Sequence, residues 1–395
     1  MSIIDKMTRQ TKSRLGQQAL RYYAQSGWLG LVSKSTQFTM TDLLKFDIDS
    51  YLDKRCLSRD DIFESLSDDK FMYYHSDEEV QIGSPIHPGP IPKEFRNRVG
   101  TCQRERPFVC ELRDIDITGP TANVKTADGK YVPEAQGTSN VQLFQSILIE
   151  EISRVGPSPP ADNIDLGVVF DNSRADNYAH WVMDFLPRLK GVEEYIEQAN
   201  REPTIIIGAE PPDWKLDYLE IFGYESGNIF QYDGGKLHID RLVVPYGKRY
   251  KLSLIEWVRD RVLENIDIDA GNYPSNIYIS RDDALCRRVI NERELMELLY
   301  NEGFAKVELS KMSLENAIRL FVQAEKIIAP HGAGLADIIY SDDVSIIELY
   351  GAKHKPCFFH LAEILGHRYG CVPCVAHGED LIANIDQIEE MIQQV

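Results

Sequence analysis

From residue 164 to residue 349 short apolar runs alternate with amphipathic segments, and this alternation limits the fold more than any other feature of the chain. Residues 164–170, 204–208, 228–232 and 241–245 are rich in Ile, Val and aromatics and read as strands. The segments between them have helical character: 179–199 with an interruption near Pro187, and a helix from Pro211-Pro212 to near Gly223. A further helix over 253–265 leads to Gly271-Asn272-Tyr273-Pro274, a break that reads as a domain joint. The alternation then restarts. Strands are predicted over 276–280 and 306–309, with an Asn291-x-x-Glu294 capping box between them and Ser313 capping a helix over 314–324. Helices over 358–365 and 381–394 close the chain. Strands separated by helices pair in parallel through crossovers, so the pattern predicts an α/β protein with two Rossmann-like domains facing a cleft. Ligands of such sheets bind beyond the carboxyl ends of the strands, which places the site in that cleft.

Residues 36–160 carry many prolines and few long periodic segments. Within them 108–134 reads as a small antiparallel β unit, with Asp128-Gly129 as a hairpin turn. Residues 141–151 read as a strand or an edge helix. The resulting division is an N-terminal extension over 1–104, a first domain over 105–272 holding the β unit and a Rossmann-like part, and a second Rossmann-like domain over 273–395. With 395 residues the chain is long enough for two cores.

Net charge is −19, which argues against nucleic-acid partners because a phosphate backbone demands a basic face. Residues 1–35 run the other way, with Lys6, Arg9, Lys12, Arg14, Arg21 and Lys34 against Asp5 alone. That basic amphipathic stretch is a candidate for peripheral contact with an anionic membrane, the bland reading being a helix packed on its own fold. No run of eighteen apolar residues and no apolar leader occurs, so a cytoplasmic protein is expected, with the membrane's inner face as a further option. Seven scattered cysteines, with a single Cys371-x-x-Cys374 pair, read as reduced, mostly buried thiols rather than a zinc site.

Three constellations carry candidate chemistry. Residues 326–351 read strand, glycine turn, helix, strand, with His331-Gly332-Ala333-Gly334 at the junction and Glu348 at the end of the second strand. Glycines there let backbone N–H groups approach a ligand, and the helix N-terminus favours phosphate. A carboxylate one strand further on is suited to a ribose diol. Asp337 stands where a dinucleotide fingerprint wants its third glycine, which disfavours a dehydrogenase. In the second, Arg281 ends a strand and Arg287-Arg288 follow, forks able to neutralise a diphosphate or simply to pair with Asp282 and Asp283. In the third, His180, Asp184 and Arg188 recur at i, i+4, i+8 behind Asn177 and predict one helix face able to activate a hydroxyl and grip a sugar.

Together, NYAHWVMDFLPRL at 177–189, YISR with RR at 278–288 and PHGAGLADIIYSDDVSIIELYG at 330–351 resemble glycosyltransferase family 61. The resemblance covers roughly residues 105–375 and implies a GT-B architecture and an inverting, metal-independent transfer from a nucleotide-diphosphate donor, expected to be UDP-linked, without a further cofactor. By the match, Arg281 with Arg287 or Arg288 would hold the diphosphate, His331, Gly332, Ala333 and Gly334 would back it, and Glu348 would bind the ribose. Asn177, His180 and Arg188 would contact substrate, with Asp184 the first candidate for the base and His180 the second. The acceptor would be a glycan or a lipid-linked glycan in surface polysaccharide or glycoconjugate synthesis. The rival from another class is a non-catalytic nucleotide-sugar or glycan-binding protein on the same fold.

Overall fold

A computed structural model describes residues 47–66, 71–137, 139–153, 162–247, 249–352 and 354–395. The basic segment 1–35 lies outside these residues. In chain order the first part supplies β1 (Phe71–Tyr73), β2 (Glu78–Ile82), β3 (Gly100–Arg104), β4 (Phe108–Thr118) and β5 (Asn123–Thr126). It continues with β6 (Asp162–Val169), β7 (Thr204–Gly208), β8 (Ile229–Tyr232) and β9 (Lys236–Tyr246). The second part supplies β10 (Asn276–Ile279), β11 (Ala305–Val307), β12 (Lys326–Pro330), β13 (Ser345–Tyr350) and β14 (Arg368–Pro373). A hairpin of β15 (Val375–His377) and β16 (Asp380–Ile382) follows.

The first sheet has the order β1-β4-β9-β6-β7-β8, with β5 alongside β4. Strands β9, β6, β7 and β8 run parallel, and the chain returns past β6 to lay β9 on its other side. Strand order therefore reverses between β6 and β9. The hairpin expected as a separate β unit is instead fused to this sheet, since β4 pairs antiparallel with β9 from Phe108↔Tyr246 to Thr118↔Lys236. Every residue from Phe108 to Leu112 is buried, which a two-stranded unit could not achieve by itself.

The second sheet, β11-β10-β12-β13-β14, is parallel throughout, and its order reverses between β10 and β12. Residues 381–394 do not form one helix: Leu381 lies in β16, its backbone N–H donating to Arg288 O at 2.9 Å, and the helix Ile385–Gln394 starts only after Asn384 caps it. Asn291 caps nothing either. Its side chain exchanges two bonds with the backbone of Ala383, at 2.8 and 3.0 Å, and so ties the C-terminal strand down.

Strands and helices of both halves contribute to one continuous apolar core, Val168, Leu219 and Val258 from the first and Phe321, Ile327 and Ile339 from the second. A buried polar link crosses it. Tyr178 Oη donates to Asp337 Oδ1 at 2.7 Å, and Tyr340 Oη donates to Tyr218 Oη at 3.0 Å. Burial pushes the Asp337 carboxyl up to about 7, against the opposing bond from Tyr178. The β2–β3 hairpin packs on the second half, where Gly83 N–H donates to Glu363 at 2.7 Å and Ile86 bridges to β14. All seven cysteines are free thiols, but only Cys110 and Cys371 are buried and the other five are half-buried. No helix among the described residues is long and apolar enough to cross a membrane.

Candidate functional site

The two places where strand order reverses open towards each other. In a parallel sheet the crevice beyond the carboxyl ends at such a reversal is left uncovered, because the crossovers on either side leave in opposite directions. After β10 come Ser280 and Arg281, and after β12 come His331 and Gly332. The Arg281 guanidinium lies flat against Gly332, so closely that a Cβ there would overlap Nη1 and stand 3.1 Å from Cζ. Gly332 is thus needed for close approach and not for conformation, since its backbone is extended at φ −164°. A Cβ at Gly334 would overlap Leu309. The turn continues as a 3-10 helix, Ala333–Tyr340, where an α-helix was expected.

Arg281 donates only to the Cys286 carbonyl, through two long bonds of 3.3 and 3.4 Å, and burial with the nearby Arg287 charge lowers its pKa. Arg287 has a left-handed backbone, φ 60°, and its buried Nε has no partner among the described residues. Arg288 points elsewhere, donating to Asp380 Oδ2 at 2.7 Å; of the expected diphosphate group, Arg287, His331, Gly332 and Ala333 line the cavity described below, Arg281 lies behind Gly332, and Arg288 and Gly334 do not line it. Glu348 is not available to a ribose. It sits inside β13, fully buried, with Oε1 against His331 Nδ1 and Oε2 accepting from Tyr350 Oη at 2.7 Å and from Tyr369 Oη. The carboxylate orients His331 instead, so that the imidazole rather than the acid faces the open space.

At the other reversal, Arg174 follows β6 and Arg249 follows β9. The helix that carries His180 is irregular, an α turn over Tyr178–His180, a π turn over Trp181–Phe185 and a 3-10 turn over Leu186–Arg188. Pro187 has no N–H to donate, and the ladder widens ahead of it. His180, Asp184 and Arg188 nevertheless line one cavity, the smaller of the two described below, where Arg188 is largely buried, donating to Pro245 O at 3.0 Å and Ala135 O at 2.7 Å, and burial lowers its pKa to about 10. Asn177 caps the α turn, accepting from His180 N–H at 3.3 Å, and its residue borders the cavity.

His180 and Asp184 remain together. His180 Nδ1 lies 2.7 Å from Asp184 Oδ2, and Arg249 donates to both carboxylate oxygens. Arg174 Nη1 lies 3.3 Å from Nε2 and Arg249 Nη2 2.6 Å from Nδ1; both guanidinium groups can only donate, so each ring nitrogen faces a donor while Nδ1 also faces the Asp184 carboxylate. Burial would raise the Asp184 carboxyl, but the bonds from His180 and Arg249 outweigh it and hold the group below its usual range. Burial, with the charges of Arg249 and Arg174, lowers the His180 pKa against the opposing pull of Asp184, which favours the neutral ring.

Two adjoining cavities join these parts. One, of about 500 Å³, is lined by Arg174, His180 and Arg249 from the first half and by Arg287, His331, Gly332 and Ala333 from the second. Its neighbour, about 470 Å³, shares Arg174, His180 and Arg249 and extends to Glu134, Asn140 and Tyr246. Sequence reasoning missed Arg249, although it follows a strand end, and missed Arg98 and His360, which also line the larger cavity and carry no local signal.

Fold and cavity define a mixed α/β protein with Rossmann-like parallel sheets and a polar crevice where both reverse order. Residues 178–347 match the family model described as Glycosyltransferase 61, a family of transferases. The matched span contains His180, Asp184, Arg249, Arg281, Arg287 and His331 to Gly334. No curated protein matches the chain.

Proposed function

We propose that this protein is an inverting glycosyltransferase of GT-B type that moves a sugar from a nucleoside diphosphate donor to a hydroxyl of a glycan or glycolipid. The observation that carries the reading is one cavity bordered by Arg287, His331, Gly332 and Ala333 on one side and His180 on the other. The diphosphate lies against Arg281, Arg287 and the backbone of the Gly332 turn, where guanidinium groups neutralise charge that a divalent cation would otherwise meet. Across the cavity, His180 Nε2 is the proton acceptor. An acceptor hydroxyl displaces the weak Arg174 contact, gives its proton to Nε2 and attacks the sugar C1 through oxygen. The bond from C1 to the diphosphate oxygen breaks, and its electron pair leaves with the nucleoside diphosphate. Asp184 orients Nδ1–H and stabilises the imidazolium that forms; with both oxygens engaged by Arg249 and His180, it suits that role better than the base role first expected of it.

The test is a panel of nucleotide sugars in which binding, slow donor hydrolysis and transfer to oligosaccharides are followed, with product anomers read by NMR. Release of sugar from one donor and inversion at C1 support the reading. Binding without any hydrolysis or transfer supports a binding protein, and absence of binding to every nucleotide sinks both.

A further inference from the structure

The larger cavity is more cationic than a neutral-sugar donor requires. Arg98, Arg174, Arg287 and Lys355 line it together with Arg249, whose charge Asp184 meets behind the wall, and with His180, His331, His354 and His360; no carboxylate occurs among its described lining residues. This stands against a chain whose net charge is −19. A diphosphate brings two negative charges, which Arg281 and Arg287 already meet at the β10/β12 end. Hexose hydroxyls are gripped by groups that both accept and donate, and the lining offers Asn177 as its only side-chain amide.

A second anion seat lies away from the diphosphate end. Arg104 Nη2 is 2.7 Å from His360 Nε2, and a guanidinium can only donate. His360 Nε2 is therefore the acceptor, and the neutral ring carries its proton on Nδ1. Burial, with the charges of Arg104 and Arg98, lowers the ring's pKa to about 4, so this tautomer holds at pH 7. His360 is 3% exposed, yet Nδ1 has no partner among the described residues. An unfilled buried donor carries a penalty that a ligand oxygen removes. Arg98, at the exposed rim beside it, has no ion-pair partner among the described residues. The His360 ring lies 4.6 Å from the Tyr250 ring, next in the chain to the Arg249 that binds His180 and Asp184. The seat thus lies on the wall of the same cavity that carries Arg249 and His180.

We propose that the donor's sugar carries a carboxylate, as in a nucleoside diphosphate hexuronate, seated on the Nδ1–H of His360 and the guanidinium of Arg98. The inference rests on the nucleotide-sugar reading above. Its test is calorimetric titration of the full chain with UDP-glucose and UDP-glucuronate, and with GDP-mannose and GDP-mannuronate, pairs that differ only at C6. The acidic member of one pair is expected to bind at least about tenfold more tightly, the worth of one charge-assisted bond. Arg98→Ala and His360→Ala should each shrink that preference, while His360→Asn, which keeps an N–H donor, should restore part of it. Affinity for the unglycosylated nucleotide should stay within about twofold, since the diphosphate seat is separate. Equal affinity within both pairs overturns the proposal, including the case in which the acceptor, not the donor, supplies the acid. A preference that survives Arg98→Ala also overturns it, whether or not the His360 variants fold. If UDP and GDP bind and only the preference is missing, this inference alone fails; if neither nucleotide nor any of the four sugars binds, the proposed function fails with it.

Discussion

Gly332→Ala tests the diphosphate seat with a single methyl group. The backbone at Gly332 is extended, φ −164° and ψ 158°, so alanine adopts it without strain. The added Cβ overlaps Nη1 of Arg281, and the part able to give way is the end of a flexible arginine rather than backbone. Arg281 is therefore expelled from its place, losing two long bonds to the Cys286 carbonyl at 3.3 and 3.4 Å. Bonds that long are weak, so the fold should lose at most about 1 kcal/mol. Bound diphosphate loses more, because its bonds to a guanidinium are charge-assisted and worth about 1.5–3 kcal/mol. The dissociation constant for UDP or GDP, whichever the protein binds, should rise roughly 10- to 150-fold. Calorimetric titration beside a thermal melt separates the two effects. An unchanged dissociation constant in a folded variant would refute the seat, and a collapse of the melting temperature would refute the claim that only the side chain moves.

Three further outcomes follow from the same geometry. His180→Ala and Asp184→Asn should each lower kcat by about a hundredfold or more with nucleotide binding intact; the wild-type rate should hold flat above pH 6.5, the usual His value, and fall only below it, because burial depresses the His180 pKa. Arg287→Ala should weaken nucleotide binding about tenfold or more, whereas Arg288→Ala, which breaks a half-exposed pair with Asp380, should leave binding alone. Asp337 has a folded pKa of about 7 against 3.8 for the free group, so the folded state holds an extra proton in between and stability falls as pH rises through that window. Asp337→Asn should remove part of that slope and raise stability at pH 8 by on the order of a few kcal/mol in chemical denaturation; Asp171, also pushed up to about 7 by burial, keeps its own share, and an unaltered slope would contradict the assignment.

Much of the architecture was legible because parallel strands buried on both faces read as continuous apolar runs, as 204–208 and 326–330 do. The pairing of Arg281 with Gly332 was legible too, since both follow strand ends that the reversal of order brings together. Other parts depend on partners distant in sequence. Glu348 looked like a strand-end carboxylate, yet Tyr369 on the neighbouring strand and Tyr350 claim one oxygen and His331 the other. Arg188 shares a cavity wall with His180, but the helix between them is an α turn, a π turn and a 3-10 turn, and the Arg188 guanidinium is taken up by the carbonyls of Pro245 and Ala135, partners distant in sequence. Nothing local marks Arg104 as the group that fixes the His360 tautomer, 256 residues away. The seam between β4 and β9 is similar: each strand is readable, but their registration follows only from the buried face they share.

A crystal structure with a bound nucleoside diphosphate sugar tests the central claim most directly. Phosphate oxygens should lie within hydrogen-bond reach of Arg281, Arg287 and the backbone at Gly332 and Ala333, with the sugar C1 turned towards His180 Nε2. A diphosphate bound away from those arginines, or a sugar facing away from His180, would contradict the account.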